Sequence, residues 1–267
     1  MSPVKTVQPP PRRSRAKRAA QSPTIAAIRA RVRALADPRV AGSSQRFFKT
    51  APGEYGHGDR FLGIRVPALR VVARELRAVP LRAVLVLLRS PWHEERLFAL
   101  FVLVEQFARG SELERQRIYE RYLEHVPRYI NNWDLVDSSA HLIVGAYLEQ
   151  RDRAVLYELA RSPHLWSRRV AIIATFWFIK RGSYADTLRI AELLLDDDED
   201  LIHKAAGWML REVNNRDGAT AAVFLRRHCE RMPRTMLRYA IEKLPEKTRR
   251  TYLKRAALSE PSAVGRR

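Results

Sequence analysis

Cysteine is almost absent from this chain. Cys229 stands alone among 267 residues, so neither an internal disulfide nor a thiolate metal site can form, and zinc-finger readings are excluded. With no Cys/His/Asn signature around it, Cys229 is expected to be a buried, unreactive thiol. Long apolar runs are also missing: even Leu97 to Val104 stops at Glu105, well short of the ~18 residues of a membrane span. The N-terminus lacks the apolar core of a secretory signal. The expectation is a cytoplasmic protein in a reducing compartment, with no membrane contact. Nor are the usual metal and nucleotide motifs present. His93-Glu94-Glu95 is not followed by the second histidine of a zinc-hydrolase helix, and Gly56-His57-Gly58 is too short for a nucleotide loop and follows no strand. The run Asp196-Asp197-Asp198-Glu199-Asp200 lacks the spaced ligands and glycine of a calcium loop, and it precedes a helix, where acids favour the N-terminus. No metal and no cofactor are expected.

Acids are scarce as well. Against 49 Lys and Arg stand 29 Asp and Glu, for a net charge of +20 and a sequence pI near 10.9, an excess that points to a polyanionic partner, nucleic acid above all. Residues 1–22 carry Lys5, Arg12, Arg13, Arg15, Lys17 and Arg18, no acid, and Pro9-Pro10-Pro11. They read as a disordered basic arm. A folded body is expected over 23–257, followed by a flexible tail over 258–267; without the arm the chain still carries about +14.

After Thr24 apolar residues recur at three- and four-residue spacing, and alternating Val, Ile and Thr runs are missing, so the fold class is all-α. Prolines and glycines such as Pro38, Pro67, Pro80, Pro91, Gly110, Pro127, Pro163, Gly182, Gly218 and Pro233 cut the chain into roughly thirteen helices. The pieces repeat. Ser90-Pro91 with Arg96 and Ala99 recurs as Ser162-Pro163 with Arg168 and Ala171; a step of 35 carries Arg169-Val170-Ala171 onto Lys204-Ala205-Ala206, and a step of 36 backwards carries Arg169 onto Trp133. Such periods predict a HEAT-like or armadillo-type helical-repeat solenoid, with a non-repetitive helical bundle as the alternative.

Near the start of one helix, Trp133 and Asp137 lie four residues apart in Asn131-Asn132-Trp133-Asp134-Leu135-Val136-Asp137-Ser138. That spacing sets an indole beside a carboxylate on one face, an arrangement suited to a cation. Within a strongly basic chain, the combination points to a positively charged group carried on a polyanion, and alkylated DNA bases fit. Asn132 is expected as N-cap, and Asp134 as an acid serving the helix dipole. Equivalent repeat positions put Trp133, Arg169 and Lys204 in one row along a concave groove, with Asp137 and Trp208 at its edge; partial burial of these side chains at helix interfaces is the alternative.

The chain resembles the AlkD-like bacterial DNA alkylation-repair proteins in Phe61-Leu62-Gly63-Ile64-Arg65-Val66-Pro67, Trp133-Asp134-Leu135-Val136-Asp137-Ser138, Trp166-Ser167-Arg168-Arg169-Val170-Ala171 and Lys204-Ala205-Ala206-Gly207-Trp208-Met209-Leu210-Arg211-Glu212. The resemblance implies a HEAT-like solenoid whose basic concave face grips double-stranded DNA near the nucleoid, and a glycosylase that excises N3- and N7-alkylated purines without a metal or organic cofactor. It implies Asp137 as the catalytic carboxylate, Trp133 and Trp208 as the tryptophans that hold the lesion's deoxyribose, and Arg169 on the adjacent backbone, with the base left stacked. Further DNA contacts are expected from Lys204, Arg168, Arg211 and Phe47, although Phe47 reads equally well as core. A monomer is expected. The segment Gly53-Glu54-Tyr55-Gly56-His57-Gly58-Asp59-Arg60 is longer and richer in glycine than the corresponding link in the best-known members. The alternative function is a non-catalytic HEAT-like DNA-structure binder or scaffold.

Overall fold

The helical periodicity and its interruptions translate directly into elements. In the computed structural model, residues 23–259 are described; the basic arm and residues 260–267 lie outside that range. Among the described residues there is no strand, only an isolated bridge between Arg60 and Trp92. Three helices open the chain: α1 (Ile25–Arg33), α2 (Pro38–Phe47) and α3 (Val66–Glu75). Then come α4 (Leu81–Leu88) with α5 (His93–Arg109), and α6 (Glu112–His125) with α7 (Trp133–Asp137), which runs on into a π-helical turn, His141–Gly145. They are followed by α8 (Ala154–Ala160) with α9 (Leu165–Ala174) and α10 (Phe176–Ile179), α11 (Ala185–Leu193) with α12 (Asp200–Asn214), α13 (Gly218–His228) with α14 (Arg234–Ala240), and finally α15 (Glu246–Ser259). The last helix passes the expected edge of the body at 257. Among the described residues fifteen α-helices replace the thirteen read from punctuation, partly because short breaks carry no proline or glycine. At Thr175, between α9 and α10, the hydroxyl bonds back to the Ile172 carbonyl at 2.7 Å, a contact that competes with the helical ladder.

The elements stack as a helical-repeat solenoid. The second helix of each pair packs on the second helix of the next, α5 on α7, α7 on α9, α9 on α12 and α12 on α14, while α4, α6, α8, α11 and α13 each pack on one or more of these helices or, for α6, on the π-turn. The core is continuous from Ile28 to Ala256, as expected when each unit buries its apolar face only against its neighbours. Cys229 is buried within it. Close approach of α12 to α14 depends on Gly207, where an added Cβ would stand 2.5 Å from the Met236 carbonyl oxygen and 2.6 Å from Tyr239 Cβ.

The Ser-Pro repeat has a structural meaning. Arg96 donates to the Ser90 carbonyl at 3.2 Å, and Arg168 donates to the carbonyls of Ser162 and Pro163 at 3.0 Å each. Each arginine thus ties the turn that starts its own helix. Each also finds a carboxylate, Asp59 for Arg96 and Asp197 for Arg168. Among the described residues no helix is long and apolar enough to cross a membrane.

Candidate active-site cleft

The helix starts correct one register. Trp133, Leu165 and Asp200 open α7, α9 and α12, so the fifth positions are Asp137, Arg169 and Lys204, and Trp133 lies one turn earlier. A fixed step of 36 put Trp133 opposite Arg169; the spacing between these helix starts is shorter, and Asp137 takes that place. These equivalent positions of neighbouring repeats therefore face each other. Arg169 donates Nε to Asp137 Oδ1 at 2.9 Å and Nη2 to Oδ2 at 2.7 Å, a bidentate fork that fixes both side chains. Its Nη1 donates to the Leu201 carbonyl. The guanidinium is 5% exposed and the carboxylate 17%. Burial pushes the Asp137 carboxyl above its usual value, while the charge and hydrogen bonds of Arg169 pull the other way.

Around this pair opens a cleft of about 540 Å³, lined by Phe47, Lys49, Tyr55, Trp133, Asp137, Arg169, Glu199, Asp200, Leu201, Lys204, Trp208, Arg211 and Tyr239. The tertiary fold thus brings together Asp137, Trp133, Trp208, Arg169, Lys204, Arg211 and Phe47. Arg168 lies apart, clamped on Asp197 at 2.6 and 3.2 Å, because adjacent residues on a helix point about 100° apart. Phe47 is 65% exposed and meets Trp133 edge-on at 5.9 Å, so it belongs to the cleft wall and not to the core. Lys204 pairs with Asp200 at 2.7 Å, and Arg211 with Glu242. Trp208 donates its indole N–H to Glu212 at 3.2 Å and rests on Phe176 at 5.7 Å.

Trp133 is held from behind by a buried polar network. Asn132 caps α7, its side chain accepting the Trp133 N–H at 2.8 Å, and its amide donates to Asp59 at 3.1 Å. Asp134 accepts the Leu135 N–H at 2.9 Å, the local role expected of it, and also takes His93 Nε2 at 2.8 Å. The other imidazole nitrogen meets Asp59 at 3.1 Å. Burial would lower the His93 pKa, but the two carboxylates outweigh it and raise it to about 9. Burial would raise Asp59, yet His93 and Arg96 bring it down to about 2. On its face His93 stacks on Phe61 at 4.5 Å, Phe61 on Phe48 at 4.9 Å, and Phe48 on Trp133 at 5.2 Å. The indole is therefore fixed through its neighbours and through its ring.

The triplet His93-Glu94-Glu95, read as lacking a metal pattern, divides three anchoring tasks. Glu94 accepts the N–H groups of Leu62, Gly63 and Ile64 at 2.8, 2.7 and 3.1 Å. Glu95, fully buried, takes Arg29, Arg33 and Ser90. In the acidic run Asp196 takes Arg231, Asp197 takes Arg168 and Asp200 takes Lys204. Sequence reasoning missed Lys49, Tyr55 and Tyr239 in the cleft, and Phe48, His93 and Asp59 behind it. Only Tyr55 carried a signal, as an aromatic residue inside the glycine-rich insertion.

Comparison with known proteins bears on the family and the fold. A family model described as "DNA alkylation repair enzyme" matches residues 28–244. A solved structure titled "Predicted DNA alkylation repair enzyme from Enterococcus faecalis" superposes with a TM-score of 0.62, covering 79% of this chain and 97% of that one at 17% sequence identity. At that identity the likeness speaks for the fold. No curated protein matches.

Proposed function

The chain belongs to the family of DNA alkylation repair enzymes, and from that membership we propose that it is a DNA glycosylase hydrolysing the N-glycosidic bond of N3- and N7-alkylated purines in duplex DNA. The supporting observation is the cleft in which Trp133 and Trp208 share the walls with the forked Asp137–Arg169 pair and the cations Lys204 and Arg211. Cytoplasmic location, a monomeric state and action without a metal or organic cofactor complete the reading.

Alkylation at N3 or N7 makes the purine a cation and weakens its bond to C1′. The enzyme's task is to stabilise positive charge developing on the sugar and to aim a water. A carboxylate offers about four lone-pair sites. Arg169 occupies one on each oxygen of Asp137, which leaves sites for water and for the sugar while the fork keeps the group from rotating. As the C1′–N bond breaks, its electron pair neutralises the purine; the water oxygen bonds to C1′ and its proton passes to Asp137 or to bulk water. The faces of Trp133 and Trp208 stabilise the cationic sugar, an effect reaching ~2 kcal/mol where water is excluded. Lys204 and Arg211 hold the flanking phosphates, which positions a strand without reading its sequence, while Arg169, its nitrogens committed to Asp137 and the Leu201 carbonyl, acts on the adjacent backbone through its charge.

The test is release of 7-methylguanine or 3-methyladenine from methylated duplex, measured directly. Base release supports the glycosylase. Duplex binding without release assigns the protein instead to the non-catalytic DNA-structure binders.

A further inference from the structure

The loop between α2 and α3 is a built element. Lys49 follows α2 at the position where a left-handed residue commonly ends a helix, and it adopts φ 52°, a conformation that favours glycine. Phe48 N–H bonds to the Ser44 carbonyl at 2.8 Å and Thr50 N–H to Gln45 at 3.3 Å, closing the helix end. The chain then doubles back. Gly56 N–H reaches the Lys49 carbonyl at 3.0 Å, and a Cβ at Gly56 would lie 2.3 Å from the Phe48 carbonyl oxygen, so only glycine lets the loop close this tightly. Its far end is pinned by Asp59, buried between Arg96, His93 and Asn132.

This loop sends Lys49 and Tyr55 into the cleft. Lys49 is exposed and, among the described residues, pairs with no carboxylate. Tyr55 lies edge-on to Trp166 at 6.4 Å, so it spans from the first repeats toward α9. Burial raises the Tyr55 pKa, keeping the phenol a neutral donor. Its own O–H has only the Phe47 carbonyl at 3.5 Å, at the outer limit of a hydrogen bond. An ammonium with no carboxylate partner among the described residues, a second ammonium and an under-used hydroxyl thus line the same cleft.

We propose that Lys49 and Tyr55, together with Lys204, form a phosphodiester clamp on the DNA strand beside the sugar held by Trp133 and Trp208. This rests on the reading that the cleft takes a DNA strand, and not on base excision. Backbone strain at a residue whose side chain faces a site is the pattern of a position kept for function.

The experiment is titration of a short undamaged DNA duplex across a range of salt concentrations with wild type, Lys49→Gly, Lys49→Arg and Tyr55→Phe. Lys49→Gly should melt at or above the wild-type temperature, since the left-handed backbone suits glycine, while its log–log salt slope falls by about 0.9. Lys49→Arg should retain the wild-type slope. Tyr55→Phe, which removes a neutral donor, should keep the slope and bind about fivefold more weakly. A Lys49→Gly slope equal to that of wild type overturns the clamp, as does a wild type that fails to bind duplex. A wild type that shows the Lys49 dependence but releases no methylated base supports the clamp and removes only the glycosylase reading.

Discussion

Replacing Asp137 by Asn separates chemistry from folding, because the fork with Arg169 makes both effects calculable. The amide oxygen still accepts one guanidinium N–H, but the amide nitrogen sets a donor against the second. Removing one partner of a buried pair costs about 3–5 kcal/mol; with one bond of the two retained, we expect about 2 kcal/mol. For a domain of this size that is a fall in Tm of about 4–8 °C, which leaves the variant folded at an assay temperature 10 °C below its own midpoint. Under those conditions excision of 7-methylguanine from methylated duplex should fall by ~10² or more, the scale of losing a preorganised electrostatic contact. Affinity for undamaged duplex should be unchanged or tighter, since a negative charge near the phosphates is gone. Excision at the wild-type rate would refute the catalytic assignment. A loss that only tracks the unfolded fraction would reduce Asp137 to a structural partner of Arg169.

Arg168→Ala should lower stability by about 3 kcal/mol, because it strands Asp197 and two turn carbonyls; the salt dependence of duplex binding should stay at the wild-type slope, and a shallower slope would return Arg168 to the DNA contacts. The pH dependence of thermal melting tests the His93 network. Its folded pKa of about 9 lies above the ordinary 6.5, so its stabilisation, of order 3 kcal/mol at ~1.36 kcal/mol per unit, is complete below pH 6.5 and fades as pH rises to about 9. His93→Gln should melt lower at pH 6.5 and lose this decline between pH 7 and 9; an unchanged decline would assign it to other groups. Gly207→Ala should force α12 away from α14 and carry Trp208 with it, lowering Tm and reducing excision beyond what the unfolded fraction explains. A wild-type Tm for that variant would show that the contact relaxes.

Much of the architecture was legible in the sequence because it follows from local periodicity. Three- and four-residue apolar spacing fixed the helices, Pro and Gly most of their ends, and the Ser-Pro turns with Arg96 and Arg168 marked equivalent places in a repeat. Asn132 as cap and the pairing of Trp133 with Asp137 on one face follow from a single helix turn. The repeat row, the basic clusters and the resemblance to alkylation-repair proteins together named seven residues that share the cleft. What the sequence misread depended on distance through space. Arg168 and Arg169 look alike as neighbours, yet a 100° rotation sends one to its own turn and the other to Asp137. Helix starts spaced unequally replaced Trp133 by Asp137 opposite Arg169, and no fixed repeat step could foresee that. His93, Asp59 and Asp134 are scattered along the chain, and only the packing of α5 against α7 makes them a charged support for Trp133. The glycine-rich insertion carried a composition signal without a direction; the left-handed backbone at Lys49 and the contact of Gly56 with the Phe48 carbonyl decided where Lys49 and Tyr55 point. Local preferences act over a few residues and are written in the chain, whereas side chains from separate repeats are paired by the geometry of stacking.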